Sequence, residues 1–288
     1  MKRPRSWPGT ILLLLGLVYG AAAQDGAQRE PAVHVYAAPG GAELKAYVFS
    51  PDETGGGRRS AIVLLHGGGW TMGEPQWAFA HARHFADRGM VAIAAQYRLS
   101  DNKNITPLEA IEDVRATFRW VRLQANSLGV DPKRVAAYGW SAGAHLAVIA
   151  AILDTVATRG DVSGSPDALV LVSPAVSLAS DGHVKRLLGS RAQVRDISPD
   201  EHVRKGLPPT LILQGNVDTV TPFSGAKRFC DRMRDAGNAC ELHVYEGFGH
   251  LFTPAGTPDD GWPKPDPTAS ADAMARADRF LESLGFLK

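Results

Sequence analysis

The chain has 288 residues, 44% of them hydrophobic, and its 31 basic and 30 acidic residues give a formal net charge of +1. This length allows one large domain or two small ones. Because no cluster of Lys or Arg occurs beyond the first few residues, nucleic acid is not an expected partner, and neither is an anionic membrane surface.

The N-terminus has the composition of a secretory signal peptide. Basic residues precede an apolar run at 11–18, and small residues follow, with Ala21 and Ala23 at the A-x-A spacing of a cleavage site. The run is too short to span a bilayer. The sequence therefore predicts a signal peptide over 1–23, cleavage after Ala23, and a secreted or periplasmic protein with no stable membrane association. An uncleaved membrane anchor is the alternative.

Residues 24–288 are predicted to form a single domain in which strands and helices alternate. Predicted strands lie at 34–38, 43–51, 61–67, 90–99, 134–140, 168–174, 210–216 and 240–247, and predicted helices include 76–88, 108–125, 142–153 and 267–284. Most strands are continuous apolar runs, which are typical of strands buried on both faces. The pattern predicts an α/β fold with a mostly parallel central sheet and helices on both faces.

One connection departs from this alternation. Between the strands at 168–174 and 210–216, a polar stretch at about 175–206 replaces a simple crossover helix. A long connection of this kind is more often a small excursion than a second domain. We expect a small irregular insert.

A serine lies between two glycines at a strand-to-helix junction. Ser141 follows Gly139 and precedes Gly143, directly after one predicted strand and before a predicted helix. A nucleophile elbow has this context, with the positive end of the new helix beside the hydroxyl. Serine is also a preferred N-cap residue, but that role does not explain both glycines. The context favours Ser141 as a nucleophile.

A glycine-rich segment, HGGGW at 66–70, lies at the carboxyl end of the predicted strand at 61–67. Such a backbone can direct several amides at one point, so Gly68 and Gly69 together with Ala142 are candidates for an oxyanion hole. We expect His66 to support this loop. No Lys-Ser/Thr pair follows, so a phosphate-binding loop is not expected.

A serine nucleophile needs a base and an acid that orients the base. Of nine histidines, His250 follows the last predicted strand, and Asp218 follows the strand at 210–216. Both therefore lie at the edge of the sheet where Ser141 is expected. The order Ser141, Asp218, His250 is the triad order of α/β-hydrolases.

The two cysteines, Cys230 and Cys240, flank a short turn between a helical pattern and a strand. In an oxidising compartment they can form a disulfide; two buried thiols are the alternative. Neither lies in a metal-binding pattern, so no metal site is expected.

From about residue 40 onward the chain resembles the α/β-hydrolase esterases. Within that family it is similar to the hormone-sensitive-lipase-like esterases and to the bacterial feruloyl-esterase and acetyl-esterase branch. The motifs that carry the resemblance are HGGGW, QYRL, GWSAGAHLA, LILQGNVDTVTP and YEGFGHLF. The resemblance implies the same catalytic serine, aspartate and histidine, the same oxyanion groups, and neither a metal nor an organic cofactor.

Two positions depart from the family pattern. Gln214 precedes Gly215 where relatives often have histidine, and we expect this to alter loop support more than chemistry. Trp140 precedes the serine where many relatives carry a smaller or more polar residue. Trp70 and Trp140 are candidates for an acyl or substrate pocket, with core packing as the alternative.

The resemblance implies a secreted serine carboxylic-ester hydrolase that acts through an acyl-enzyme. Its expected substrates are small-molecule or carbohydrate-linked esters of short-chain or aromatic acyl groups, such as acetyl or feruloyl. Three alternatives remain open. Two are enzymes: an aryl-formamide hydrolase of the kynurenine formamidase type, and a peptidase, although peptidases usually carry a larger gating domain for which this length leaves no room. The third is a catalytically silent hydrolase fold used for binding.

Overall fold

The computed structural model describes residues 30–52, 57–101, 104–153, 162–258 and 261–288. Every element described below belongs to the unit Pro31–Lys288. The predicted signal peptide, 1–23, lies outside the described residues. None of the described helices is both long enough and apolar enough to cross a membrane.

Eight strands of the described residues pair into one sheet. They are β1 (Ala32–Ala37), β2 (Leu44–Phe49), β3 (Arg59–Leu65), β4 (Val91–Ala95), β5 (Val130–Trp140), β6 (Ala168–Val172), β7 (Thr210–Gly215) and β8 (Cys240–Tyr245). Their order across the sheet is β1-β2-β4-β3-β5-β6-β7-β8. The β1–β2 and β2–β4 pairs are antiparallel, and all other pairs are parallel. The predicted, mostly parallel sheet is confirmed.

Helices pack on both faces of this sheet. They are α1 (Phe79–Asp87), α2 (Pro107–Leu123), α3 (Ala125–Leu128), α4 (Ala142–Leu153), α5 (Gly182–Leu188), α6 (Phe223–Asp235) and α7 (Pro267–Ser283). Side chains alternate along each strand, so Val63 and Leu65 of β3 join the core beneath α2, α4 and α6, while Ile62 and Leu64 join the core beneath α1 and α7. Both faces are apolar because both are covered.

The order of the strands creates a crevice at one edge. From β3 the chain passes to β4 on one side and later returns to β5 on the other. In open α/β sheets, ligands bind at the carboxyl ends of the strands where the order reverses in this way. The segment 66–70 follows β3 and Ser141 follows β5, so both lie at this point.

The insert at 175–206 is small and mostly irregular, as expected, with one short α-helix. It contains α5, whose N-cap residue Asp181 accepts hydrogen bonds from the amides of His183 and Val184. Buried Val184, Leu187 and Leu188 fix the helix against the core. A short helix forms here because an N-cap and an apolar face coincide.

The cysteines are joined. Cys230 of α6 and Cys240 at the start of β8 form a disulfide with a Cα–Cα distance of 5.6 Å. Their α-carbons are at the separation usual for such bridges.

Candidate active site

Ser141 lies at the turn between β5 and α4. Its φ is +50°, a left-handed conformation that costs free energy in a non-glycine residue and is found at sharply turned functional sites. Close packing holds the turn: a Cβ on Gly143 would lie 2.2 Å from the Leu65 carbonyl oxygen, and one on Gly139 would lie 2.6 Å from the backbone of α4. The two glycines therefore allow β5, α4 and β3 to meet beneath the serine.

The structure brings the two predicted partners to this serine. His250 follows β8, and its Nε2 lies 3.0 Å from Ser141 Oγ. Asp218 follows β7, and its Oδ2 lies 2.9 Å from His250 Nδ1. Since an ionised carboxylate only accepts, Nδ1 carries the proton and Nε2 is free to accept the serine proton. This arrangement can convert a hydroxyl into a nucleophile.

The Asp218 carboxylate is buried and accepts several hydrogen bonds. Oδ1 accepts the amides of Val220 and Thr221, and Oδ2 accepts Thr221 Oγ1 at 2.9 Å, as well as His250 Nδ1. Burial raises the pKa of this carboxyl, but the hydrogen bond and charge of His250 and the bonds from Thr221 lower it more, so the pKa lies below its usual value. Asp218 is therefore ionised at neutral pH.

Gln214 also touches the carboxylate. Its Nε2 donates to Asp218 Oδ2 at 3.0 Å and to the Thr221 carbonyl oxygen at 2.9 Å. Its Oε1 is buried and has no hydrogen-bond partner among the described residues. Gln214, which replaces the histidine common in the family, thus contacts the catalytic carboxylate as well as the loop at Thr221. From the sequence we expected an effect mainly on the loop.

The loop that carries His250 is strained and tethered. Leu251 and Phe252 both have positive φ, +50° and +62°. The Leu251 amide donates to Ser173 Oγ at 3.0 Å, and a Cβ on Gly215 would lie 2.2 Å from the carbonyl oxygen of Phe248. These contacts fix the imidazole above the end of β7.

The glycine-rich segment has the backbone expected of an oxyanion loop. Gly68 and Gly69 have φ of +118° and +58°, which favour glycine. His66 Nδ1 lies 2.7 Å from the Gly67 carbonyl oxygen. Ala142 is the first residue of α4, so its amide has no partner within the helix. Gly68 and Gly69 border the same cavity as Ser141, and Ala142 directly follows the serine.

His66 is a buried support of this loop, as expected. Burial lowers its pKa to about 4, outweighing the opposite effect of the hydrogen bond to Gly67, so the ring is neutral at pH 7. Its ring stacks on Tyr97 at 4.3 Å, and the Tyr97 hydroxyl donates to the His66 carbonyl oxygen at 2.7 Å.

Ser141 and His250 face a cavity of about 1210 Å³. Its aromatic wall includes Trp77, His81, Tyr138, Trp140, Phe252 and Trp262. Trp140 lines the cavity and also packs on Tyr138, with ring centroids 4.8 Å apart. Trp70 borders the cavity but is 4% exposed, and its indole N–H donates to His145 Nδ1. That N–H is therefore not available to a substrate.

Several polar residues around the site were not singled out from the sequence. Thr221 and Ser173 tether the acid and the histidine loop, and His145 and His183 contact the glycine-rich segment. Thr221 had a local signal, since threonine three residues after aspartate is typical of a side-chain-stabilised turn. In the part of the chain that is described, no group of three or more His, Cys, Asp or Glu is arranged to hold a metal ion.

Comparison with known proteins places this site in a family. The BD-FAE family model matches residues 48–167. A solved structure of Thermogutta terrifontis esterase 2, phosphoramylated by tabun, is 36% identical, with a TM-score of 0.78 over 90% of this chain and 96% of that one. Among curated proteins, the chain is 27% identical to endo-1,4-beta-xylanase B of Butyrivibrio fibrisolvens over 74% of its length. It is also 27% identical to an acetylxylan esterase of Xylanibacter ruminicola over 71% of its length.

The chain spans only part of those two curated relatives, 35% of the first and 42% of the second. It spans nearly all of the Thermogutta esterase, at an identity that exceeds what a shared fold alone would give. Together with the mostly parallel sheet and the matching family model, this similarity shows that the chain belongs to the α/β-hydrolase esterases, in the hormone-sensitive-lipase-like branch.

Proposed function

We propose that the protein is a carboxylic ester hydrolase in which Ser141 is the nucleophile, His250 the general base and Asp218 the residue that orients the base. The observation that carries this proposal is the continuous hydrogen-bonded series from the serine Oγ to the carboxylate, with distances of 3.0 and 2.9 Å. Residues 24–288 would form the single catalytic domain.

The geometry supports a two-step reaction. Ser141 Oγ attacks the ester carbonyl carbon while His250 Nε2 takes its proton, and the carbonyl oxygen becomes an oxyanion. The amides of Gly68, Gly69 and Ala142 stabilise that charge, and a single such donor is typically worth on the order of 10²–10³ in rate. The imidazolium then protonates the leaving alcohol. In the second step, His250 activates a water molecule that hydrolyses the acyl-enzyme and restores the serine.

We further propose short-chain or aromatic acyl esters as substrates, such as acetyl or feruloyl groups on carbohydrate. The cavity has room for an acyl group together with part of a sugar, and its wall is rich in aromatic rings. Trp77 and Trp262 are 46% and 59% exposed, with ring centroids 6.3 Å apart, so a planar group can reach both. The names of two relatives, a xylanase and an acetylxylan esterase, also support esters attached to carbohydrate.

An exported location is proposed as well. The N-terminal pattern of basic, apolar and small residues supports a signal peptide cleaved after Ala23. The disulfide between Cys230 and Cys240 is compatible with an oxidising compartment.

The test is a substrate panel run on the wild-type protein and on Ser141→Ala. It contains p-nitrophenyl esters of increasing chain length, methyl ferulate, acetylated xylan and N-formylkynurenine. We expect the wild type to hydrolyse esters and S141A to lose the activity by a factor on the order of 10³ or more. Ser127→Ala is the matched control, because Ser127 is exposed on α3 and its hydroxyl donates to neighbouring Gln124.

The aryl-formamide hydrolase and the silent binding fold each predict a different result in the same panel. Faster turnover of N-formylkynurenine than of any ester would favour the aryl-formamide hydrolase. Wild-type protein that turns over nothing would favour a silent binding fold. Equal ester hydrolysis by S141A and the wild type would exclude Ser141 as the nucleophile.

A further inference from the structure

The insert at 175–206 contacts the oxyanion loop through one side chain. His183, the second residue of α5, places Nε2 3.0 Å from the carbonyl oxygen of Gly69. A carbonyl oxygen only accepts, so Nε2 carries the proton and donates it. The two residues are 114 positions apart in sequence.

The His183–Gly69 contact is one of three sets of hydrogen bonds that hold successive carbonyl oxygens of the oxyanion loop. A trans peptide is planar, so a hydrogen bond to its carbonyl also fixes the direction of its N–H. His66 Nδ1 holds the Gly67 carbonyl, which directs the Gly68 amide. The amides of Thr71 and Met72 hold the Gly68 carbonyl, which directs the Gly69 amide.

His183 holds the third peptide, which joins Gly69 to Trp70. Fixing this peptide restrains ψ of Gly69 and φ of Trp70, the two torsions on either side of it. The loop needs such a restraint, because Trp70 has a φ of +63°, an unfavourable conformation for a bulky side chain. Without the bond, relaxation of Trp70 would turn the preceding peptides.

A second contact from the insert acts on the same tryptophan. The Trp70 indole N–H donates to His145 Nδ1, and His145 Nε2 lies 2.8 Å from the carbonyl oxygen of Ile197. The indole can only donate and the carbonyl can only accept, so the proton of His145 is on Nε2. Burial lowers the pKa of His145 to about 4, which keeps the ring neutral and this tautomer in place.

The insert is itself fixed to the rest of the fold. Arg191 forms a 2.5 Å ion pair with Glu109 of α2, and the buried Asp200 pairs with Arg228 of α6 at 3.0 Å. These contacts attach the insert at two separate helices. It can therefore act as a rigid support.

We propose that the insert is a brace for the oxyanion loop at 66–70, and that His183 is its positioning residue. This role depends on the proposed esterase function, because an oriented oxyanion hole matters only for acyl transfer. The hydrogen bond from His183 to Gly69 fixes the loop conformation whose amides stabilise mainly the transition state. Its loss therefore lowers kcat and leaves KM nearly unchanged.

A matched pair of variants tests the bond itself. His183→Gln retains an amide N–H at the place of Nε2, whereas His183→Leu has a similar size and no donor. We expect H183L to lower kcat about 10- to 100-fold, the range for a small displacement of a catalytic group, with KM within about threefold of wild type. We expect H183Q to keep kcat within about threefold of wild type.

The control is His202→Ala, a half-buried histidine of the same insert whose Nε2 contacts the carbonyl oxygen of Arg195. H202A should behave as wild type, and near-ultraviolet circular dichroism checks that every variant is folded. A kcat equal to that of the wild type in H183L would contradict the proposed role of His183. Equal decreases of kcat in H183L and H183Q would contradict it too. Absence of ester hydrolysis by the wild-type protein would instead overturn the proposed function.

Discussion

The hydroxyl of Thr221 lies 2.9 Å from Asp218 Oδ2, 3.0 Å from the Ser173 carbonyl oxygen and 3.2 Å from His250 Nδ1. A hydroxyl has one proton to donate, and the ionised carboxylate is the strongest acceptor of the three. Thr221 therefore stabilises the charged form of Asp218 directly and the position of His250 indirectly. At the scale of single residues, the acid of the site depends on neighbours that are not themselves in the triad.

Thr221→Val removes this donor while conserving the shape of the side chain. Loss of a hydrogen bond to the ionised form raises the pKa of Asp218. This change moves the acid limb of the kcat/KM profile to higher pH, because the carboxylate that orients His250 is lost at a higher pH. Thr219→Val, a change at an exposed neighbour, is the control. An acid limb unchanged in T221V would contradict this role.

The same variant has a pH-dependent effect on stability. The pKa of Asp218 is lower in the folded than in the unfolded protein, so its stabilisation is present above the ordinary value of 3.8 and is lost as the pH falls through the folded value. T221V should therefore be less stable than wild type by roughly 1–2 kcal/mol at pH 7. In urea unfolding, this difference should shrink below pH 3.8.

At the scale of elements, the junction of β5 and α4 is set by close backbone contact. Gly143 is the second residue of α4 and packs against Leu65 at the end of β3 and against the following His66, with room for no side chain. The same carbonyls that crowd it, those of Leu65 and His66, lead directly into the oxyanion loop. The position of α4 and the course of that loop are therefore coupled.

Gly143→Ala should destabilise the protein by about 2 kcal/mol, the usual scale of overpacking, because its Cβ would lie 2.2 Å from a carbonyl oxygen. Gly182→Ala is the matched control. Gly182 is also the start of a helix, α5, and the nearest atom to its Cβ would be a flexible guanidinium nitrogen of Arg186 at 3.8 Å. Urea unfolding should separate the two variants, and equal midpoints would contradict the packing argument.

At the scale of the whole molecule, the parallel sheet assembles the site. Strands β5, β7 and β8 run parallel, so their carboxyl ends lie on the same side of the sheet. Each of these ends is followed by one member of the triad: Ser141, Asp218 and His250, respectively. Cys240 is the first residue of β8 and so lies at the amino end of the strand, away from the triad. It forms a disulfide with Cys230 of α6. The disulfide thus fixes the end of β8 that is remote from the cavity.

Replacing both cysteines by serine should lower the free energy of unfolding by roughly 3 kcal/mol in the loop-entropy model, since the bridge closes a short loop. Because the bridge lies away from the cavity, kcat at 25 °C should stay near wild type. Urea unfolding with and without dithiothreitol provides the check. The reductant should destabilise only the wild type. Equal stability of the two proteins without reductant would indicate that the thiols are not bonded.

Local sequence patterns were sufficient to predict the alternation of strands and helices, the parallel sheet and the residues that follow its strands. Those inferences needed only local patterns, because continuous apolar runs indicate buried strands and parallel strands present their ends at one edge. Ser141, Asp218 and His250 could be selected in this way. The short helix α5 was not predicted, since its N-cap and apolar face lie within a mostly polar stretch.

The contacts around those residues come from tertiary packing and could not be predicted from local patterns. The bond from His183 to Gly69 joins positions 114 apart, and Trp70 is turned toward His145 instead of offering its indole N–H to the cavity. No local pattern specifies such contacts, because they depend on how an insert and a loop from different parts of the chain meet. The order of residues placed the reacting groups at one edge of the sheet, and long-range packing set the directions in which their neighbours point.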